Sequence, residues 1–272
     1  MRTPQDSAVI TKPDSQEDSQ PGIAKRDVVG KIGTRRSRKR DGVEEMRRRL
    51  YGFSDLAGYT FLDRLMIRAA YGAPNIEAGL DPLDVLIETI LSQSTTNHNS
   101  SRTFENLKRR FKTWDQVRRA RVTSIEAAIK SGGLARQKSL RIKELLNEIQ
   151  RRRGSLDLSF LCAAPLKEAK EFLSSFKGVG PKTVACTLLF ACKRPVFPLD
   201  VHIFRIARRL GLIPEKCSDA QAHRAMEELI PRGRYYEVHI NLIRHGRRIC
   251  RPRDPLCEQC VIVDYCRYYR TR

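Results

Sequence analysis

The chain has 272 residues, with 52 Lys and Arg against 31 Asp and Glu, giving a formal charge of +21 and a pI near 10.1. That length suits one large domain or two small ones with a well-buried core, and the charge calls for a polyanionic partner, most simply a nucleic-acid backbone. No stretch approaches the roughly 20 apolar residues that span a bilayer, while the missing apolar h-region and the early acids Asp6, Asp14, Glu17 and Asp18 argue against a secretory or mitochondrial leader.

Residues 1–44 are rich in Ser, Asp, Gln, Pro and Lys without a lasting hydrophobic period, a composition expected to stay disordered. Residues 35–40 form a basic run that suits nuclear targeting, DNA tethering or simple solvation. Residues 1–45 carry ten basic and eight acidic side chains, so +19 of the charge belongs to the rest of the chain. The folded part is itself the basic object.

From residue 45 the pattern predicts helix after helix, with no run of alternating strands and no internal repeat; the fold class is all-α. Pro82 opens a near-continuously apolar segment (Leu83, Val85, Leu86, Ile87, Ile90, Leu91), expected to be a central buried helix. A loop dense in hydrogen-bonding groups follows it, from Gln93 to His98. Thr123 with Glu126 reads as a capping box, and Gly132-Gly133 stops the helix that follows. Leu140, Leu145, Leu146 and Ile149 mark the apolar face of a very basic helix. Leu166, Ala169, Phe172 and Leu173 mark another.

That second helix runs into Lys177-Gly178-Val179-Gly180, and Pro181 opens the next. Two glycines let the backbone turn sharply, and proline at the first helical position loses no hydrogen bond. The turn presents backbone N–H groups at a helix start, a phosphate-binding geometry, although a plain tight connection has the same look. Lys182 lies in the first helical turn, where the macrodipole disfavours a cation and favours the neutral, nucleophilic amine. Asp200 is placed to cap the helix starting at Val201, and a capping carboxylate is ionised and rigidly aimed. Ser218 and Gln221 form a second capping box ahead of Ala222, Met226, Leu229 and Ile230.

Cys250, Cys257, Cys260 and Cys266 form a C-x6-C-x2-C-x5-C loop. Four thiolates on short loops suit an iron–sulfur cluster or zinc, with a disulfide framework the weaker alternative. Cys162, Cys186, Cys192 and Cys217 are scattered singly and read as small core side chains in a reducing compartment.

Three of these segments resemble the endonuclease III-type helix-hairpin-helix DNA glycosylases. Residues 176–183 (Phe-Lys-Gly-Val-Gly-Pro-Lys-Thr) are similar to that family's hairpin, residues 197–205 to its Val-Asp-Thr-His-Ile-Phe-Arg segment with Leu199 for the commoner valine, and the cysteines match its 4Fe-4S loop in every spacing. The likeness covers roughly residues 45–272. It implies a six-helix barrel over 76–194 and a second helical domain built from 45–75 and 195–272, with a DNA cleft between them. It also implies a catalytic lysine at Lys182, a catalytic aspartate at Asp200 and a 4Fe-4S cluster on the four cysteines.

The same resemblance implies DNA contacts from Gly178, Val179 and Gly180, a wedge at Gln93 or Ser94, and an apolar plug at Leu134. Where the family usually reads Ser-Ala-Gln-Ala-Thr this chain reads Ser-Gln-Ser-Thr-Thr, and Asn97 stands where many members have aspartate. Arg251, Arg253 and Arg267 would meet phosphates from the cysteine loop. The expected activity is a bifunctional DNA N-glycosylase/AP lyase that removes oxidised pyrimidines and nicks by β-elimination. The alternatives are a 5-methylcytosine or mismatch-specific glycosylase on this scaffold, or a non-catalytic Fe–S DNA-binding protein. The expected partner is double-stranded DNA with a damaged base or abasic site, met by a monomer away from membranes, in a bacterial cytoplasm or nucleoid or a eukaryotic nucleus.

Overall fold

The computed structural model describes residues 66–75, 79–95 and 97–272. The tail 1–44, its basic run, the beginning of the second expected domain and the side chains of Asn97 and His98 lie outside the described residues. Among the described residues every regular element is helical. In chain order these are α1 Met66–Tyr71, α2 Pro82–Ser92, α3 Asn97–Arg110, α4 Trp114–Arg119, α5 Val122–Ile129, α6 Ala135–Arg153, α7 Leu166–Ser174 and α8 Pro181–Cys186. There follow α9 Val201–Leu210, α10 Asp219–Leu229, α11 Tyr235–Arg248 and the short α12 Arg267–Arg270.

Helix α2 is the central element. Asp81 caps it through its carboxylate, accepting from Leu83 N at 2.8 Å and Asp84 N at 2.9 Å, and Pro82 takes the first helical position. Apolar residues all round the helix are buried, so its hydrophobicity is spent on neighbours on every side. It belongs to a large apolar cluster formed with α3, α5, α6, α7 and α8 through Phe104, Leu107, Ile125, Ile142, Leu146, Leu173 and Val184. A second cluster joins α1, α9, α10 and α11 through Ile67, Ile203, Ile206, Met226, Val238 and Leu242, and takes in Phe197 and Leu199 from the connecting chain. A small patch of Val85, Cys186, Phe190 and Ile240 draws on segments whose other residues lie in one cluster or the other.

Helix α8 continues as a π-helical turn, Thr187–Ala191, which carries Phe190 into that patch. Such turns concentrate near functional sites.

Three sequence expectations are corrected. Helix α5 begins at Val122 after Arg121, with no side-chain cap, so Thr123 falls inside its first turn and makes no capping box. The Ser218–Gln221 box is formed in both directions. Leu140 is exposed, because the buried face of α6 runs through Lys138, Ser139, Ile142, Leu145, Leu146 and Ile149. Cys162 and Cys192 are not core thiols: they form a disulfide, and Cys162 lies at the surface, whereas Cys186 is buried as expected.

Candidate active site and nucleic-acid interface

The hairpin between α7 and α8 is built from opposed demands on its residues. Phe176 and Val179 are buried in the first cluster, and the Val179 N–H donates to Phe176 O at 3.1 Å. Val179 therefore holds the turn from inside, and its side chain is not an exposed DNA contact. Gly178 has φ +79°, a left-handed backbone that favours glycine, and a Cβ there would sit 2.4 Å from Arg141 Nε, so that side chain would have to move. Gly180 caps α8 without a side chain and has nothing within 4 Å of where a Cβ would be. The start of α8 faces open space.

Lys182 stands half-buried in the first turn of α8, and Asp200 half-buried at the N-cap of α9. The Asp200 Oδ1 accepts from His202 N and Ile203 N, both at 2.9 Å, so the capping role is formed and the carboxylate is aimed by the helix it starts. The two charges converge on common neighbours: both act on the buried Cys186 thiol and on the buried His239 imidazole. His239 donates from Nδ1 to Pro198 O at 2.9 Å, since a carbonyl can only accept, and packs edge-on against Phe190 and Phe197. Burial pushes its pKa down to about 4, against the pull of Asp200, so it is neutral at physiological pH. Sequence reasoning missed His239; a histidine inside an apolar helix face gave no signal. Asp200 opens onto a cavity of about 410 Å³ shared with Val201, Phe204, Arg205 and Arg208, and Lys182 is not among its lining residues.

The loop after α2 divides its two candidate wedges. Gln93 is half-buried: its Nε2 donates to Gly178 O at 3.3 Å and Thr183 Oγ1 at 3.4 Å, and its Oε1 accepts from Arg141 Nη1 at 2.7 Å. Ser94 is exposed with φ +52°, at the tip. Leu134 is likewise exposed, by 56 %, with φ +51°. A left-handed backbone costs an ordinary residue roughly 1–2 kcal/mol, so both tips are held by their surroundings rather than by preference.

The four motif cysteines take part in no disulfide and line one small cavity of about 20 Å³, together with Ile249, Pro255, Val263, Tyr268 and Tyr269. Four sulfurs gathered around one cavity suit the iron–sulfur cluster that the cysteine spacing implies. Burial pushes the Cys260 thiol up to about 12 and raises Cys266, and the neighbouring sulfurs push the same way, so gathered thiolates need a cationic centre between them. Arg209 Nη1 donates to Cys250 Sγ at 3.3 Å, an N–H···S contact of the kind that tunes such clusters.

The basic residues here do different work. Arg209 also donates to Arg251 O at 2.7 Å and Pro252 O at 3.0 Å, and Arg205 to Cys250 O at 2.9 Å and Gly246 O at 2.8 Å, which ties α9 to the cysteine loop. Arg205 closes the 197–205 segment already singled out in the sequence, whereas Arg209 had no motif to announce it. Arg251 and Arg253 keep exposed side chains on this anchored loop. Arg267 is exposed as well and is ion-paired with Glu215.

Residues 87–232 match the model of the HhH-GPD superfamily base excision DNA repair protein, and residues 250–266 match the iron–sulfur binding domain of endonuclease III. An Arabidopsis thaliana protein described as a DNA glycosylase is 43 % identical over 168 residues, which are 62 % of this chain and 57 % of that relative's length. Endonuclease III of Thermotoga maritima is 31 % identical over 192 residues, covering 71 % of this chain and 85 % of that one. The DNA glycosylase/AP lyase ROS1 of Arabidopsis thaliana is 30 % identical over 57 % of this chain, which spans 12 % of its length. In fold, the chain resembles an endonuclease III in a non-covalent DNA complex, with a TM-score of 0.67 and 24 % identity over 78 % of this chain and 94 % of that one. The cysteine loop is the site of a 4Fe-4S cluster, and the chain belongs to the HhH-GPD superfamily of base excision DNA repair proteins.

Proposed function

We propose that the chain is a bifunctional DNA glycosylase/AP lyase acting on an oxidised pyrimidine in duplex DNA, with Lys182 as nucleophile and Asp200 as its charged partner. The observation that carries this is the placement of both residues at helix starts from two different apolar clusters, acting on the same buried His239 and Cys186.

In this reading the hairpin grips phosphate at the start of α8 while Ser94 and Leu134 enter the stack as the damaged nucleotide turns out. The Lys182 Nζ lone pair attacks the sugar C1′. The C1′–N bond breaks, its electron pair leaves with the base, and the base takes up a proton. The amine gives up its own proton, and the sugar ring opens to a Schiff base. Loss of a C2′ proton then expels the 3′ phosphate, and water releases the lysine. Asp200 stabilises positive charge on the sugar and assists deprotonation of Lys182. The chain's own part in holding the cluster falls to Cys250, Cys257, Cys260 and Cys266; when bound, the cluster staples the loop that carries Arg251 and Arg253.

Borohydride reduction during incubation with duplex oligonucleotides holding an abasic site or thymine glycol tests this. The wild type should give a covalent protein–DNA adduct and Lys182→Gln none. A brown, DNA-binding protein that gives no adduct would refute the lyase reading. A panel of bases then decides the substrate, and excision of 5-methylcytosine with thymine glycol left intact would move the assignment to that base.

A further inference from the structure

Lys138 is a lysine where the fold has no obvious use for one. It is 2 % exposed on the core-facing side of α6, and the catalytic scheme does not involve it. Its ammonium makes three hydrogen bonds to three different parts of the chain: Leu91 O near the end of α2 at 2.7 Å, Thr95 Oγ1 in the loop beyond at 2.6 Å, and Gly132 O in the loop before α6 at 2.9 Å. Thr95 passes its own hydroxyl proton to Gly132 O, closing the triangle. The Lys138 backbone N–H donates to Leu134 O at 2.9 Å. Gly132 is buried against Thr103, whose Oγ1 would lie 2.9 Å from any Cβ at that position.

These bonds bracket both exposed tips. Ser94 lies between Leu91 and Thr95, and Leu134 lies between Gly132 and the helix that Lys138 itself belongs to. Each tip is in a left-handed conformation that its residue type does not favour, and each is fixed on both sides by the same lysine. One turn further along α6, Arg141 holds Gln93 and lies over Gly178, which extends the same helix face to the phosphate hairpin. Burial and the charge of Arg141 pull the Lys138 ammonium down to about 8, so at neutral pH most molecules keep the proton and all three donors.

We infer that Lys138 is a positioning residue that locks the Ser94 and Leu134 loops into one rigid two-pronged wedge, so that opening of the base pair depends on it and the chemistry at C1′ does not. This rests on the proposed glycosylase/lyase reading for its substrate, but its direct readout needs no chemistry. The full-length protein is bound to duplex DNA holding a 2′-fluorinated thymine glycol nucleotide paired with adenine, which resists excision, with 2-aminopurine beside it to report unstacking. Wild type, Lys138→Met, Lys138→Arg and Thr95→Val are compared. Borohydride trapping is run in parallel on a single-stranded abasic oligonucleotide, which has no pair to open.

The expected result is at least a tenfold slower fluorescence rise for Lys138→Met, partial recovery for Lys138→Arg, a smaller loss for Thr95→Val, and single-strand trapping within twofold of wild type throughout. Opening by Lys138→Met at the wild-type rate overturns the inference. So does an equal loss of opening and of single-strand trapping, which would mean a general disturbance of the fold. If Lys138→Met does not fold, Thr95→Val carries the test, since it removes one hydroxyl from the triangle: slowed opening with unchanged trapping supports the wedge, and unchanged opening overturns it. Wild type that unstacks the reporter but never traps would sink the lyase reading and leave the wedge to be judged by fluorescence alone.

Discussion

Gly178 shows how much one position can be asked to do. Alanine there would have to adopt φ near +79° with its Cβ against Arg141, and Arg141 is the residue that holds Gln93. Gly178→Ala is expected to cost about 1–2 kcal/mol in stability from the backbone alone and to weaken binding to every DNA sequence alike. Chemical denaturation and DNA titration at fixed salt check both. Gly180→Ala should fold normally and lose DNA affinity, because the space beside Gly180 is open in the free protein. The placement of Lys182 in a first helical turn, of Asp200 at an N-cap and of the four cysteines around one cavity was legible in the sequence, because proline, capping and cysteine-spacing signals are local. Gln93 and Ser94 could not be told apart, since what turns Gln93 inward is Arg141, 48 residues away. Lys138 was invisible for a related reason: in a helix as basic as α6, a buried lysine and a solvated one look the same.

The helices and turns that carry these residues are tied down by unlike means. The Cys162–Cys192 disulfide closes a loop of 30 residues that contains α7, the hairpin, α8 and Lys182. Chain-entropy arguments put such a closure at roughly 3–4 kcal/mol. Cys162→Ser, or reduction of the wild type, is therefore expected to lower the thermal midpoint while leaving the iron–sulfur absorbance unchanged; an unchanged midpoint would mean the bond adds nothing to the fold in solution. Helix α9 is held by Arg205 and Arg209, whose guanidinium groups reach Gly246, Cys250, Arg251 and Pro252. Gly246 lets α11 press against α9 there, because a Cβ on it would lie 2.7 Å from His202 Cβ. None of this was readable from periodicity, which places residues on a face but not against a partner. The start of α5 was missed by two residues, enough to void a capping box that the letters allowed.

Charge and protonation act on the molecule as a whole. Arg251→Glu and Arg253→Glu should reduce affinity for all DNA sequences and flatten the dependence of log K on log salt by about one unit per lost phosphate contact. A loss confined to damaged DNA would contradict their placement on the backbone. His239 has a folded pKa of about 4 against an ordinary 6.5, so the unfolded chain binds the extra proton first. Its stabilising effect is complete above 6.5 and is lost as the pH falls from 6.5 to 4, at up to about 1.4 kcal/mol per pH unit. The thermal midpoint of wild type should fall across that window more steeply than that of His239→Gln. Fold class was legible at this level because hydrophobic period survives without partners; the meeting of the two apolar clusters was not, because it rests on Phe190, His239 and Ile240 from segments far apart in the chain.

That meeting has a practical consequence. In the proposed reading the amine and the carboxylate start helices that pack in different apolar clusters, so their separation gauges how those clusters seat on each other. A change at Phe190 or Ile240 can detune the pair while every reactive group, every sulfur ligand and every phosphate contact stays intact. A sequence survey that checks only motifs would score such a protein as competent, and it would be a repair enzyme that grips damage and leaves it in place.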